Sequence, residues 1–184
     1  MSDDGFRSVF SMKKDVDINE QQSCTSTIRP VALVTGSSRG VGAATVLAFA
    51  KAGYDVVINY RNKARRAEAV ADDARRSGAA ALVLRADITD REHIASMMTR
   101  IAARFGRIDA LILNASGGME KDLIRLDPNY PRRVNHDAPL NLLEMALPLL
   151  APGAVVVHVT SHLAHFHGQV AQLPAYEPVA ADRL

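Results

Sequence analysis

The segment VALVTGSSRGVGAATVLAFAKAGY, which begins at Val31, constrains the fold more than any other part of the sequence. Its first five residues form a mainly apolar run that ends at a glycine-rich turn, which is typical of a buried strand. The segment after the turn predicts a helix, because apolar residues recur there at helical spacing: Val41, Ala44, Leu47 and Ala48. Gly53 then predicts the end of that helix. The segment therefore predicts the opening of a strand–helix–strand unit.

The same alternation of strands and helices continues along the chain. Predicted strands are DVVINY, AALVLRAD, RIDALILNAS and GAVVVHVTS, and predicted helices are KARRAEAVADDARRSG, DREHIASMMTRIAARFG and RRVNHDAPLNLLEMALPLL. Strands that alternate with helices form a parallel sheet with right-handed crossovers, and strands without polar alternation are covered on both faces. The sequence therefore predicts an α/β fold, a doubly wound parallel sheet (Rossmann fold) with strand order 3-2-1-4-5.

The helix DREHIASMMTRIAARFG carries the clearest pattern of the predicted helices. Thr89 or Asp90 can cap its N-terminus. One face of this helix is predicted to be buried: Ile94, Met97, Met98, Ile101 and Phe105.

Composition and length suit a single domain, with 184 residues, 48% of them hydrophobic and 23% charged. Residues 1–29 lack the apolar core of a signal peptide and are predicted to be a disordered extension, and residues 30–184 to form the domain. The net charge of +2 gives no reason to expect a nucleic-acid or membrane partner. The single cysteine, Cys24, excludes an internal disulfide, and there is no apolar run of about 18 residues. These features favour a cytoplasmic protein.

The glycine-rich turn after the first predicted strand is a candidate phosphate-binding loop. Gly36, Gly40 and Gly42 let the backbone turn tightly and approach a phosphate, and the following helix N-terminus offers free N–H groups. Ser38 and Arg39 lie in the same turn and complete the predicted contacts. Because a strand precedes the turn and a helix follows it, the context favours dinucleotide binding over glycines that serve packing alone.

The end of the second predicted strand discriminates between two forms of such a cofactor. An acidic residue there binds the ribose hydroxyls of NAD, whereas an arginine accommodates the 2′-phosphate of NADP. This chain has Asn59 and Tyr60 in place of the acid, and Arg61 follows them. Arg39 and Arg61 can each bind a phosphate through two hydrogen bonds, so NADP is favoured over NAD. Two further arginines in the next helix are interpreted as solvated surface residues.

Five motifs in order resemble those of the short-chain dehydrogenase/reductase family, over residues 31–176. TGSSRGVG matches the cofactor-loop pattern TGxxxGxG. NASGG, which contains Asn114 and Ala115, resembles the family's NNAG motif with its first asparagine replaced by leucine. Asp87 matches the aspartate that contacts the adenine ring. Asn135 and Ser161 match the asparagine and the serine of the catalytic tetrad.

The resemblance implies an oxidoreductase that transfers a hydride between NADP(H) and an unknown small carbonyl or alcohol. In the family the serine, here Ser161, donates a hydrogen bond to the substrate oxygen, and a tyrosine, here Tyr176, exchanges the proton. The asparagine, here Asn135, holds a water on the proton path. A nearby lysine lowers the tyrosine pKa from its ordinary value of about 10. The family uses no catalytic metal, and the resemblance is compatible with a homo-oligomer.

The sequence departs from the family at this lysine. The family places tyrosine and lysine four residues apart, but Ala180 stands four residues after Tyr176, and Lys121 is the last lysine. In an alternative register Val179 and Arg183 replace the pair, although the spacing from the catalytic serine favours Tyr176. We therefore interpret the chain as a C-terminally truncated or degenerate member that lacks the usual last strands, with its fifth strand a bare sheet edge. The alternative function is a non-catalytic dinucleotide-binding protein or an inactive fragment.

Four histidines cluster around the predicted catalytic serine in the sequence. His162, His165 and His167 follow Ser161 closely, a density that can indicate a metal site. No acidic residue accompanies them, so a lining of the substrate pocket or an exposed loop is favoured over a metal. His158, inside the fifth predicted strand, is interpreted as a core histidine.

Overall fold

The computed structural model describes residues 28–117 and 126–160, which contain a five-stranded sheet and its flanking helices. The strands are β1 (Val31–Val34), β2 (Asp55–Tyr60), β3 (Ala81–Arg85), β4 (Ile108–Leu113) and β5 (Leu150–His158). The helices are α1 (Gly40–Lys51), α2 (Ala64–Arg76), α3 (Arg91–Arg104), α4 (Tyr130–Arg132) and α5 (Ala138–Ala146). A π-helical turn (Arg133–Asp137) joins α4 to α5, and a 3₁₀ turn (Leu147–Leu149) leads into β5. The predicted boundary between residues 1–29 and 30–184 stays a prediction.

The sheet has the strand order β3-β2-β1-β4-β5 with all neighbours parallel, which confirms the predicted doubly wound topology. β1 pairs with β2 from Val31 opposite Asp55, and with β4 from Ala32 opposite Ala110. The strand order reverses between β1 and β4. In open α/β sheets, ligands bind outside the carboxyl ends of the strands at such a reversal.

Helices cover both faces of the sheet centre. On one face α3 and α5 pack over Val31 and Leu33 of β1, and on the other α1 and α2 pack over Ala32 and Val34. All four β1 side chains are at most 2% exposed, which confirms the prediction that this strand is buried on both faces. None of the helices in the two described ranges is long and apolar enough to cross a membrane.

The helix α1 is present and ends before Gly53 as predicted, but the apolar residues whose spacing predicted it do not form its buried face. Val41 is 66% exposed, whereas the buried residues of α1 are Gly42, Val46 and Ala50. The helix is built of apolar residues on all sides, so periodicity alone does not identify the side that meets the sheet. The buried side of α1 is set instead by the close packing of Gly42 against Asn114 and the glycine-rich turn.

The N-terminus of α3 resolves the choice between two predicted caps. The Asp90 carboxylate accepts hydrogen bonds from the backbone N–H groups of Glu92 and His93, at 2.9 and 3.2 Å. Thr89 instead donates its hydroxyl to Asp87. Four residues of the predicted face of α3 are buried, which confirms the prediction for them: Ile94, Met97, Met98 and Ile101. Phe105, at the end of the helix, is partly buried against the same core.

The strand β5 differs from the prediction in its start and its burial. It begins at Leu150, three residues before the predicted start, with an irregular register against β4 near Gly153, whose φ is 80°. The prediction of two covered faces is wrong for this strand, because Val155, Val156 and Val157 are 58%, 40% and 43% exposed. Within the described ranges no strand pairs with the outer edge of β5.

Candidate active site

The glycine-rich turn between β1 and α1 packs directly against the loop that follows β4. Gly36 has a φ of 63°, and a Cβ added there would lie 2.8 Å from the Cα of Ala115. A Cβ at Gly42 would lie 2.6 Å from the Nδ2 of Asn114 and 2.9 Å from the carbonyl oxygen of Gly36. Both positions therefore require glycine for packing within the protein. At Gly40, in contrast, an added Cβ would meet no atom within 4 Å.

Thr35 joins β1 to the start of the loop after β4, a role that the sequence analysis missed. Its buried hydroxyl donates to the carbonyl of Ile112 at 3.3 Å. The same oxygen accepts the backbone N–H groups of Asn114 and Ala115 at 2.9 and 3.0 Å. The Asn114 side chain returns the contact, because its Nδ2 donates to the Thr35 carbonyl at 2.9 Å. The sequence feature that could have indicated this role is a polar threonine at the end of an apolar strand.

Asn59 joins the glycine-rich turn to β2 and to the end of β3. Its side-chain Oδ1 accepts the backbone N–H of Gly36 at 3.1 Å, and its Nδ2 donates to the carbonyl of Ala86 at 3.1 Å. Its backbone carbonyl accepts the N–H of Ser37 at 2.9 Å. From the sequence, Asn59 is recognisable only as a replacement for an acid. In the fold it is a buried residue that fixes the turn on the sheet.

The N-terminus of α1 has the properties of an anion site. Arg39 occupies the N-cap position with an exposed side chain that makes no capping hydrogen bond, and the first turn contains no acidic residue. The first N–H groups of a helix have no partner inside the helix and lie at the positive end of its dipole. Here they lie beside Gly40 and next to Ser38, which is half-buried.

A cavity of about 580 Å³ opens at the carboxyl ends of β2 and β3. Arg61, Arg85 and Asp87 line its sheet side, and Tyr130 and Arg133 line it from α4 and the π-helical turn. Arg61 donates a hydrogen bond to the Tyr130 hydroxyl, and its guanidinium lies 5.6 Å from the centre of the Tyr130 ring. The Nε of Arg85 donates to the Arg61 carbonyl at 3.2 Å.

Asp87 closes the turn after β3. Its Oδ1 accepts the N–H of Thr89 at 3.0 Å and the Thr89 hydroxyl at 2.8 Å. The side chain is half-buried and lies at the wall of the cavity. The fold therefore brings the predicted residues Arg61 and Asp87 together at one end of the candidate site.

Asn135 lies in the π-helical turn and is bound to the loop after β4. Its Oδ1 accepts the N–H of Gly117 at 3.0 Å, and its Nδ2 donates to the Gly117 carbonyl at 2.9 Å. Gly117 is tightly enclosed, since a Cβ there would lie 2.6 Å from Val134 and 3.0 Å from the Tyr130 ring. Short π-helical turns within α-helices occur frequently at functional sites.

Two of the predicted catalytic residues, Ser161 and Tyr176, lie outside the described residues, as do the histidines at positions 162, 165 and 167. The described chain reaches Thr160, two residues beyond the end of β5 at His158. Burial lowers the pKa of the His158 imidazole below its ordinary value, and the charge of His136 lowers this pKa further. His158 is half-buried, not a fully enclosed core residue as predicted. Within the described ranges no group of three potential metal ligands occurs.

A parallel sheet of this order, with a glycine-rich turn after its first strand, defines an α/β protein of the Rossmann class. Residues 30–177 match the family model for short chain dehydrogenases. The short-chain dehydrogenase/reductase FrzI of Cladobotryum sp is 33% identical over 141 residues, which are 74% of this chain and 54% of that protein. The chain belongs to the short-chain dehydrogenase family, whose members are oxidoreductases.

Two further relatives extend the comparison. The 1-cyclohexenylcarbonyl-CoA reductase of Streptomyces collinus is 28% identical over 161 residues, which are 84% of this chain and 55% of that protein. A short chain dehydrogenase from Burkholderia cenocepacia J2315, solved in complex with NADP, matches with a TM-score of 0.72 and 31% identity, over 85% of this chain and 64% of that one. The chain thus spans about half the length of the curated relatives it matches.

Proposed function

We propose that this protein binds NADP(H) and transfers a hydride between it and a small carbonyl or alcohol substrate. The observation that carries the proposal is the glycine-rich turn, which Thr35 and Asn59 fix to β4 and β2 while the N-terminus of α1 stays uncapped by any side chain. A turn that is rigid and positively polarised is suited to the pyrophosphate of a dinucleotide. The match to an NADP-bound structure supports the same cofactor class.

The residues around this turn fit NADP. Gly36, Gly40 and Gly42, with the loop residues Asn114 and Ala115, form the wall against which the pyrophosphate and the nearby ribose would be held. Ser38, Arg39, Arg61 and Asp87 remain the proposed contacts to the adenosine half. Because Asn59 replaces an acid at the end of β2, no carboxylate at that position opposes a 2′-phosphate. Arg39 and Arg61 are the cations proposed to bind it.

The catalytic residues proposed from the family motifs act around the substrate oxygen. When bound, the nicotinamide supplies or accepts the hydride. Ser161 donates a hydrogen bond to the substrate oxygen, and Tyr176 gives or takes the proton at that oxygen. Because both polar atoms of the Asn135 amide are bonded to Gly117, we assign Asn135 the role of holding the loop after β4 against the π-helical turn. Its side chain is not proposed to hold a water directly.

A second candidate function is dinucleotide binding without turnover. The observation that favours it is Ala180, which stands four residues after Tyr176 where the family has its lysine. Without a nearby ammonium, a tyrosine pKa stays near about 10, and the residue exchanges protons poorly near neutral pH. This function predicts cofactor binding with no reduction of any carbonyl.

The first test is a fluorescence titration of the full 184-residue chain with NADPH and, in parallel, with NADH. We expect saturable binding with a lower dissociation constant for NADPH. Replacing Arg39 by alanine is expected to raise the NADPH dissociation constant by about 10-fold, the equivalent of one charge-assisted hydrogen bond, and to leave NADH binding unchanged. Equal affinities for both cofactors would refute the NADP preference.

The second test separates the enzyme from the binding protein. NADPH oxidation is measured with a panel of ketones and aldehydes for the wild type, Ser161→Ala and Tyr176→Phe. Turnover by the wild type that both variants lose supports the proposed oxidoreductase. Cofactor binding with no turnover on the whole panel supports the second function, and turnover that survives both substitutions removes the roles given to Ser161 and Tyr176.

A further inference from the structure

Arg85 is the last residue of β3 and lies at the carboxyl end of the sheet. In the parallel register of the two strands it is paired with Tyr60, the last residue of β2. Its side chain is exposed and lines the cavity at this end of the sheet. In dinucleotide-binding folds, the substituent on the 2′ position of the adenosine ribose is recognised at the end of β2. Arg85 therefore lies one strand away from that position.

The guanidinium of Arg85 is directed towards the end of β2. Its Nε donates a hydrogen bond to the backbone carbonyl oxygen of Arg61, the residue that follows β2, at 3.2 Å. The two Nη atoms belong to the same planar group as Nε, so they also lie beside the end of β2. A single bond to the neighbouring strand thus places this cation where the 2′ substituent of a dinucleotide would be.

The Nη atoms of Arg85 have no acceptor within residues 28–117 and 126–160. In these two ranges the bond from Nε is the only hydrogen bond or ion pair that the Arg85 side chain makes. Nε carries one N–H of the guanidinium, and the remaining donors are on the Nη atoms. A phosphate can therefore accept two hydrogen bonds from Arg85 without displacing a contact that the described residues make.

The carboxylates of the described cavity lining are engaged by residues other than Arg85. Asp127 pairs with Arg133 at 2.5 Å, and Asp87 accepts the N–H and the hydroxyl of Thr89. Of the described residues that line the cavity, three are arginines and two are aspartates. This part of the lining therefore carries an excess of positive charge, which favours an anionic ligand.

We propose that Arg85 determines cofactor specificity by binding the 2′-phosphate of NADPH through its two Nη atoms. The inference rests on the proposed function, to which it adds a specificity-determining residue on β3. Asn59 and Tyr60, at the end of β2, carry no negative charge that would compete with a phosphate for this guanidinium. NADH has no 2′-phosphate, so its affinity does not depend on Arg85.

The test is calorimetric titration of the full 184-residue chain with NADPH and NADH, and with two fragments of the adenosine half. The fragments are adenosine 2′,5′-bisphosphate and adenosine 5′-monophosphate, which differ only in the 2′-phosphate. Because neither fragment has a nicotinamide, the comparison does not depend on the catalytic residues.

Three variants are compared with the wild type. Arg85→Gln removes the charge, and Arg85→Lys keeps the charge but not the planar guanidinium. Arg76→Gln is the matched control, because it removes the same charge from a side chain that is 72% exposed, pairs with Asp73 and does not line the cavity. A melting curve for each variant shows whether it is folded.

We expect Arg85→Gln to raise the dissociation constants of NADPH and of the bisphosphate by about 10- to 100-fold, the range for hydrogen bonds to a charged group. The constants of NADH and of the monophosphate should change by less than about 2-fold. Arg85→Lys is expected to lose less affinity for NADPH than Arg85→Gln, because an ammonium still attracts the phosphate. Arg76→Gln should leave all four constants unchanged.

The outcomes distinguish this inference from the proposed function. A wild type that binds neither cofactor, or both equally, overturns the NADP preference and this inference with it. A wild type that prefers NADPH, with the same preference in Arg85→Gln, overturns only the role of Arg85. An equal loss of affinity for NADPH and NADH in Arg85→Gln, with an intact melting curve, would show that Arg85 only holds the backbone of Arg61. An equal loss of NADPH affinity in Arg76→Gln would show that net charge, and not the position of Arg85, is responsible.

Discussion

The strands β1 and β5 are both rich in valine and both pair with β4, but they meet different surroundings. The four residues of β1 are at most 2% exposed, because strands flank it on both sides and helices cover both of its faces. Val155, Val156 and Val157 of β5 are 40–58% exposed at the edge of the described sheet. A run of valines therefore specifies a strand, and the neighbours of that strand decide how much it contributes to stability.

The two regions also differ in their polar contacts. At the carboxyl end of β1, side-chain hydrogen bonds hold the backbone at the candidate site. Thr35 binds the loop after β4, and Asn59 joins the glycine-rich turn to the end of β3. Such a network rigidifies a site before any ligand binds. The side of the molecule that carries the candidate site is thus predicted to be more rigid than the β5 edge.

The largest loss of stability is expected from a valine-to-alanine substitution in β1, and the same substitution in β5 serves as its comparison. Val34→Ala in β1 removes two buried methyl groups and leaves a cavity, so the free energy of unfolding should fall by about 2–3 kcal/mol. Val155→Ala in β5 should change it by less than about 0.5 kcal/mol, because the side chain is already largely in water. Chemical denaturation of both variants measures the difference. Equal losses would mean that β5 is covered in solution.

A smaller loss of stability is expected when the hydrogen-bond network at the end of β1 is disrupted. Thr35→Val keeps the shape of the side chain but leaves the backbone N–H of Ala115 without its acceptor, and the N–H of Asn114 keeps only the carbonyl of Ile112 at 3.1 Å. The free energy of unfolding should therefore fall by about 1–3 kcal/mol. The matched control is Thr99→Val, on the exposed side of α3, where the hydroxyl donates to the carbonyl of Ala95 at 3.0 Å. Urea denaturation compares the pair, and an equal effect in both would show that the Thr35 network adds no stability.

The smallest effect on stability is expected from His158, at the end of β5, and this effect depends on pH. The pKa of His158 is lowered in the fold by burial and by His136, from an ordinary value of 6.5. The unfolded chain therefore binds a proton at a higher pH than the folded chain does. The contribution of His158 to stability is fully present above about pH 6.5 and is lost as the pH falls towards its folded pKa.

His158→Gln supplies the control for this pH dependence. Melting temperatures at pH 7.5 and 5.5 should differ more for the wild type than for His158→Gln, since glutamine does not titrate. The same difference in both proteins would show that other groups cause the acid sensitivity.

Much of the fold was predictable because it depends on local patterns. Apolar runs, glycines and helical periodicity are read within about 20 residues, and they predicted five strands, their order and the helices between them. The buried face of α3 was predicted because polar residues occupy its other side. The buried face of α1 was not, because that helix is apolar on every side and only the contacts of Gly42 orient it.

The sequence by itself determined the family, the position of the glycine-rich turn and the absence of an acid at the end of β2. Tertiary structure alone decided which side chains hold that turn, since Thr35 meets Ala115 across 80 residues and Arg61 meets Tyr130 across 69. It also decided that the amide of Asn135 binds Gly117. The physical reason is that hydrogen bonds of a few ångströms depend on how distant segments pack, whereas a strand or a helix is specified largely by its own residues.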